Sequence, residues 1–493
     1  MSGQGFVKQW VIRPVAGLVL AMGLGCAGAA TLGVSPLGAD SGNCQGAACL
    51  TIGYALSQAA LSGDTIALAA GTYAEQITVN KSVTINGAGM DQSIIQPSSL
   101  ATNASVPGGS AGQKTAIVFV TGSSTVATLS NLGVRGPGAT SCGSIGYGVF
   151  VGGDATLTLD SAHIRSIRDE PLGGCQNGNG VGFGSSTSPV HVGKGQVLNS
   201  VIDDFQKNGI DVRGAGSSVT IRGNTVTGVA TDKIAQNGII VLDGANAIVD
   251  GNTISGMQCN VASCLAGTWG SIGLAIQYPA SGLQVTGNTI NGADFNAVIV
   301  GEAPAPTITM TGNTLSQARY ANLQVWGPMA LNMVNNTLSG SVDGIEAYEY
   351  VGAPVITLNG GNTITGASGT GIVVDGATVQ GSKNRFFANG VGADNTTGGG
   401  TSNLTCNWWG NFTGPQASSN PGGTGNAASA DVTFTNWYVD SNFTYGCVGN
   451  PDWVKQNPNG PTPAPVPVDA PWALAGIALA LAGLAGRKLR RRR

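Results

Sequence analysis

Short stretches in which apolar and polar residues alternate recur along this chain. "NGIDV" at Asn208, "NGIIV" at Asn237, "NAVIV" at Asn296, "ANLQV" at Ala321, "DGIEA" at Asp343 and "TGIVV" at Thr370 set small apolar residues two positions apart. That is the period of a strand, whose successive side chains point to opposite faces, and not of a helix. A second series runs between them: "IRGNTVTGV" around Asn224, "VDGNTISGM" around Asn252, "VTGNTINGA" around Asn288, "MTGNTLSQA" around Asn313, "MVNNTLSGS" around Asn336 and "LNGGNTITGA" around Asn362. Successive asparagines are 28, 36, 25, 23 and 26 residues apart. Fainter copies fall at Asn131, Asp160, Asn199 and Asn384.

A period of this size marks a solenoid. Each repeat holds two or three short strands joined by Gly or Asn turns, where left-handed backbone carries little strain. Such a unit cannot bury its own apolar face. Stacking coils about 4.8 Å apart buries the Ile, Val and Leu rows and pairs each strand with its counterparts above and below. The asparagines then form an internal amide ladder at a turn. The predicted fold is therefore all-β, a single-stranded parallel β-helix of about ten or more coils. Leucine-rich repeats are the main rival, but their leucine spacing is absent. Upstream, apolar positions at helical spacing from Ile52 to Leu61 predict a helix that covers the first open coil. The N-terminal cap is placed at about 44–90 and the C-terminal cap at about 400–450.

Two stretches carry a family resemblance. Ala55 to Gly89, with "GDTI", "GTYAE" and "VTINGAG", resembles the N-terminal cap of pectin-lyase-like right-handed β-helix repeat proteins. "CNWWGNFTGP" (Cys406 to Pro415) is similar to the Asn-Trp-Trp-Gly element near the C-terminal end of many of them. The resemblance implies a right-handed β-helix over residues 30–459. It implies no particular reaction, because the superfamily contains lyases, hydrolases, epimerases and members without activity.

Composition agrees with a turn-rich fold that buries a large core: glycine supplies 79 of 493 residues without a three-residue period, which excludes collagen. The net charge of −3 conceals an uneven distribution. Lys8 and Arg13 lie at the start, and Arg487, Lys488 and Arg490 to Arg493 crowd the end. Removing those eight cations leaves 14 Lys+Arg against 25 Asp+Glu, a net of −11 for the body. A surface of that sign repels nucleic acid and other polyanions, polyuronates included.

The two ends read as addresses. Lys8 and Arg13 precede an apolar run from Val15 to Leu24 and the small residues Gly25 to Ala30, the order of a secretory signal peptide cut after Ala29. Cys26 leaves a lipoprotein signal as the alternative. At the other end a Pro-rich linker (460–469) leads into an apolar helix with an Arg-rich end (470–493). One reading is a transmembrane tail anchor. The other starts from "VPVDAPW": with Pro467 and Trp472, an apolar run and a basic end, the tail resembles the PEP-CTERM and IPTL-CTERM class of bacterial sorting signals. That resemblance implies recognition by an exosortase, transient residence in the inner membrane, and delivery to the surface of a Gram-negative cell.

Export makes the cysteines legible. With Cys26 removed, eight remain, and they fall into neighbours along the chain: Cys44 with Cys49, Cys142 with Cys175, Cys259 with Cys264, and Cys406 with Cys447. An even count in an exported chain favours four local disulfides. Zinc is the competing reading, but no CxxC occurs and only His163 and His191 could assist, so no metal or cofactor is expected.

A search for chemistry returns little. The pectin-cleaving hydrolases of the resembled family carry an Asp pair, a Gly-His-Gly and an Arg-Ile-Lys. Here Asp203-Asp204 stands without the other two and reads as turn carboxylates. Asp211 and Arg213 share an outward face, which a local ion pair explains as well as a lyase site does. His163 and His191 have no visible catalytic partner and read as surface or turn residues. The better signal is a strip. With Ile239/Val241, Leu323/Val325 and Ile345/Ala347 pointing inward, alternation sends Gln324, Trp326, Glu346 and Tyr348 outward on adjacent coils, and Gln277 outward two coils earlier. Exposed aromatic faces beside amide and carboxylate groups suit a neutral or weakly charged sugar chain. Packing beneath the "EYVGAP" loop is the competing reading. The resulting expectation is a surface-delivered protein that binds polysaccharide or serves adhesion without catalysis. A carbohydrate-active enzyme, with Glu346 and Glu349 as the nearest carboxylate pair, and a passive matrix protein are the alternatives.

Overall fold

A computed structural model describes residues 29–448, except 61, 109–113, 139–140, 268 and 396–398. The signal segment and the Pro467 to Arg493 tail lie outside these residues. The chain winds into three long parallel sheets of 15, 12 and 12 strands, with one two-stranded sheet at the side. One coil shows the plan: Ser218–Arg222 lies on the first face, Thr225–Thr227 on the second and Asn237–Leu242 on the third. Each pairs in parallel with its equivalent in the next coil, Asn246–Asp250, Thr253–Ser255 and Ile272–Gln277. This is the parallel β-helix that the repeats predict.

Alternation decides which rows are inside. Val219, Ile221, Val226, Ile239 and Val241 are buried, and the next coil stacks Ala247, Val249, Ile254, Leu274 and Ile276 upon them. Repeated coil after coil, these rows make one continuous apolar core from Leu32 to Trp437.

The amide ladder occupies the corner between the first and second faces. Asn224 Nδ2 and its backbone N–H both donate to Asn252 Oδ1 (2.9 and 3.0 Å), and Asn252 repeats the pattern on Asn288. The row continues through Asn313, Asn336, Asn362 and Asn384 to Asn407. Each Nδ2 also donates to a backbone carbonyl of an earlier coil, as Asn224 does to Val197 (2.8 Å). A buried amide left unpaired would cost about 1–3 kcal/mol, so the row is stable only because every member completes its neighbour.

The fainter copies need correction. Asn384 is in phase, and Asn407 of "CNWWG" extends the row. Asn131 and Asn199, however, sit one residue early, at a left-handed corner (φ 52° and 48°) that Gly223 and Gly251 fill in later coils. Asp160 lies two residues early. Leu132, Ala162 and Ser200 hold the ladder register there, and Ser200 N–H ends the row on Asn224 Oδ1. Asparagine tolerates left-handed backbone as glycine does, so its presence near a corner does not distinguish the two positions.

The ends are closed as expected in kind but not in detail. A strand at Thr31–Val34 joins the first face before the cap helix, which runs Ile52–Gln58 and buries Ile52, Ala55 and Leu56. Thr51 caps it through Tyr54 N–H (3.1 Å), and the Glu75 carboxylate accepts from Ile52 and Gly53 N–H (2.7 and 2.8 Å). At the far end Trp409, fully buried, packs on Phe386, and Phe434 and Trp437 join the same core. All four cysteine pairs are disulfide-bonded as predicted. Among the described residues no helix is long and apolar enough to cross a membrane.

Candidate functional site

The strip lies on the third face. Parallel register places Leu242, Gln277, Val300, Trp326 and Tyr348 in one outward column, with Asp211, Ile240, Ala275, Val298, Gln324, Glu346, Val373 and Asp394 in the column beside it. The expected inward residues Ile239, Val241, Leu323, Val325, Ile345 and Ala347 are all in the core. Four of the five strip residues meet. The Trp326 and Tyr348 rings lie 4.4 Å apart, tilted by 34°, and both remain half-buried. Gln324 Nε2 donates to Glu346 Oε2 (2.6 Å), and Trp326 Nε1 reaches Gln324 Oε1 (3.4 Å). Gln277 is in the right column but Val300 separates it from the group.

The "EYVGAP" loop stands beside the rings instead of covering them. Tyr350 is 52 % and Val351 86 % exposed, and an open pocket of ≈ 650 Å³ is lined by Trp326, Tyr348, Glu349, Val351 and Asp375. Val351 adopts a left-handed backbone (φ 54°), an unfavourable state for a β-branched residue. Asp375 escaped the sequence reading, although the alternation that found Tyr348 also sends the last residue of "TGIVVD" outward: Ala347 pairs Val374, so Asp375 follows Tyr348 in the column.

The earlier coils of the same face are closed. Phe119, Tyr147 and Phe150 point outward but pack against buried Val106, from a loop laid over them. His191 pins that loop: its Nε2–H donates to the Ser105 carbonyl (2.7 Å), Nδ1 accepts from Gly153 N–H (3.0 Å), and its ring meets Phe150 edge-on at 5.6 Å. Beside this packing, Arg213 Nε donates to Asp211 Oδ1 (2.7 Å) and Asn208 Nδ2 to Asp211 Oδ2 (3.3 Å). This is a local ion pair, one of the two readings that the sequence left open for these residues. Burial, and secondarily Arg213, lowers the Lys207 pKa to about 8, and burial raises that of Tyr147.

Two other expectations change. His163 is no surface residue: it is buried on the second face, with Nδ1 2.7 Å from Asp91 Oδ1 and Nε2 3.2 Å from Asp203 Oδ2. The bond to Asp203 outweighs burial and, with Asp91, raises its pKa. Asp203 and Asp204 separate, the first facing His163 and Arg165 from a strand and the second turning to Arg168 (2.6 Å). Among the described residues, the group with metal-ligand spacing is Cys142, Asp169 and Cys175, whose two sulfurs are bonded to each other.

Residues 116–338, a little under half of the chain, match the family model described as right handed beta helix region. None of the curated proteins matches the chain. Similar solved structures include the A-module of the Azotobacter vinelandii mannuronan C-5 epimerase AlgE4, at 15 % identity over 69 % of this chain and 91 % of that one (TM-score 0.47). The periplasmic alginate epimerase AlgG gives 11 % identity over 70 % and 76 % (0.47), and the Agl-KA catalytic domain 17 % over 71 % and 64 % (0.48). The parallel β-helix itself is carried by the three sheets and their register and by the family model over residues 116–338.

Proposed function

We propose that this is an exported protein that holds a polysaccharide along the open coils of its third face without cleaving it. The carrying observation is the Trp326–Tyr348 pair, half-exposed and 4.4 Å apart, with Gln324 held by Glu346 at its side. Aromatic planes accept sugar rings, and amide and carboxylate groups accept or donate to hydroxyls. Coils about 4.8 Å apart approach the length of one sugar unit, so a chain lying along the axis meets one outward position per coil. The body's net charge of −11 opposes polyanions.

Four disulfides are the pattern of an exported chain. Export by the segment 1–29 and surface delivery on a Gram-negative cell through an exosortase acting on the Pro467 to Arg493 tail belong to the same proposal. Mass spectrometry of the surface-released protein tests the latter: an intact "RKLRRRR" end restores the plain anchor. For the site, a glycan array probed with the exported chain identifies a ligand, and Trp326→Ala weakens its binding about tenfold or more. Unchanged binding by Trp326→Ala and Tyr348→Ala reduces the strip to packing. A hydrolytic reading is favoured by Glu346 and Asp375 on adjacent coils. Reducing ends that appear on incubation and vanish with Asp375→Asn establish it instead.

A further inference from the structure

On the platform reading above, we infer that Trp269 is a second sugar-stacking position and that the glycan crosses the third face obliquely between it and the Trp326–Tyr348 pair. Trp269 stands three residues before the strand Ile272–Gln277, and Trp326 closes the strand Ala321–Trp326 two coils on. The two indoles thus belong to opposite edges of one face. At 46 % exposure, Trp269 is the most exposed tryptophan among the described residues.

The backbone that carries it is held from several sides. The chain leaves the second face after Ser255 and returns at Ile272, and fully buried Asp294 grips both arms of this excursion: its Oδ2 accepts from Cys259 N–H (2.9 Å) and Ser271 N–H (2.8 Å). Arg319 Nη1 donates to the Cys259 carbonyl (2.8 Å) and pairs with Asp294 Oδ1 (2.9 Å), while its Nη2 donates to Asn260 Oδ1 (2.9 Å). The Tyr320 hydroxyl donates to the Cys264 carbonyl (2.8 Å), and the Cys259–Cys264 disulfide closes the turn. A side chain on so fixed a backbone loses little freedom when a ligand covers it, and an indole offers a large, rigid contact area. The outer side of the sheet joins the two edges: the Tyr320 ring meets Phe295 at 5.4 Å, and both belong to one apolar cluster with Val298, Val300 and Trp326. Five residues of strand at about 3.3 Å and two coils at about 4.8 Å place the edges about 20 Å apart, the length of about four sugar units. A chain that long engages both rings at once, so its second contact is intramolecular.

The test titrates linear β-linked glucose oligomers, from the disaccharide to the hexasaccharide, against the exported chain and its variants. Affinity rises about tenfold or more once the oligomer reaches about four units. Trp269→Ala removes that rise and leaves the disaccharide unchanged, Trp269→Phe, which keeps a ring, restores part of it, and Trp326→Ala weakens every length. An unchanged thermal melt shows that each variant is folded. Leu265→Ala alters an exposed apolar residue of the same excursion and leaves all lengths unchanged. An equal loss from Leu265→Ala reduces the effect to general apolar contact and overturns the second position. If Trp269→Ala binds the hexasaccharide as the parent does, the second position falls and the platform stands, with its chain along the axis. If no oligomer binds, the second position falls, and the platform falls with it only where array glycans bind Trp326→Ala as they bind the parent.

Discussion

The early and late coils of the third face are built to one plan and put to different ends. Both turn aromatic residues to the outer side of the sheet by strand alternation: Phe119 and Phe150 early, Trp326 and Tyr348 late. Early, a loop lays Val106 over the rings and His191 ties it down, so the aromatics are core by another route. Late, the loop after Tyr348 stands aside and its own Val351 is 86 % exposed. An outward aromatic on a solenoid is therefore not a ligand site by virtue of its strand. What lies above it decides.

The sharpest way to break this comparison is to truncate one ring on each side. Phe150→Ala, in the closed coils, is expected to cost about 3–5 kcal/mol of stability in chemical denaturation and to leave glycan binding by the folded fraction unchanged. Trp326→Ala reverses the pattern, with a binding loss of about 1–3 kcal/mol and a smaller change in stability. Equal stability losses on the two sides would show that the late rings are packing too.

A smaller effect comes from pH. His163 clamps Asp91 to Asp203 beneath the closed coils, and no such clamp was found among the described residues of the late ones. Because its folded pKa is raised, the stabilisation is fully present below its unfolded value of about 6.5 and is lost as pH rises through the folded pKa. Asp203, lowered by His163 against the opposing effect of burial, contributes above its unfolded value of about 3.9 and fails as pH falls through its folded pKa. Hydrogen exchange between pH 5 and 8 should therefore show the early coils loosening before the late ones, and His163→Gln should flatten the difference. Uniform exchange across both regions would remove the clamp's role. The smallest expected change is at Val351. Val351→Asn suits the left-handed backbone better and should stabilise by about 0.5–1 kcal/mol, measured by thermal melting. A weakened glycan affinity in that variant would show that the strained backbone holds the pocket open.

The fold was legible because a repeat states its own rule many times. The asparagine spacing and the alternation around Asn208, Asn237 and Asn296 set the architecture, and local cysteine pairs named the disulfides. The strip was legible for the same reason: Trp326 and Tyr348 follow from one register. What could not be read required coil lengths that vary. His163 finds Asp91 72 residues before it and Asp203 40 residues after it, distances that no single period predicts. The covering of Phe150 depends on a loop whose sequence has no repeat to compare it with. Asp375 was legible by the same rule, since the alternation that turns Tyr348 outward continues to the last residue of "TGIVVD" one coil later.

The amide ladder has one more property. Seven of its eight side chains, Asn224 to Asn384, donate to the asparagine of the next coil toward the C-terminal end, so their dipoles add head to tail as peptide dipoles do in a helix. Each bond polarises the next, and the row is closed at its ends by the Ser200 N–H and by the carbonyls of Gly381 and Leu404. The molecule thus contains a directed, one-dimensional chain of hydrogen bonds with a beginning and an end. Cutting it at Asn313 leaves two short rows and removes cooperative strengthening on both sides. Cutting it at Asn407 removes one member from a row that remains long, so the same chemical substitution has a different consequence according to where along the axis it falls.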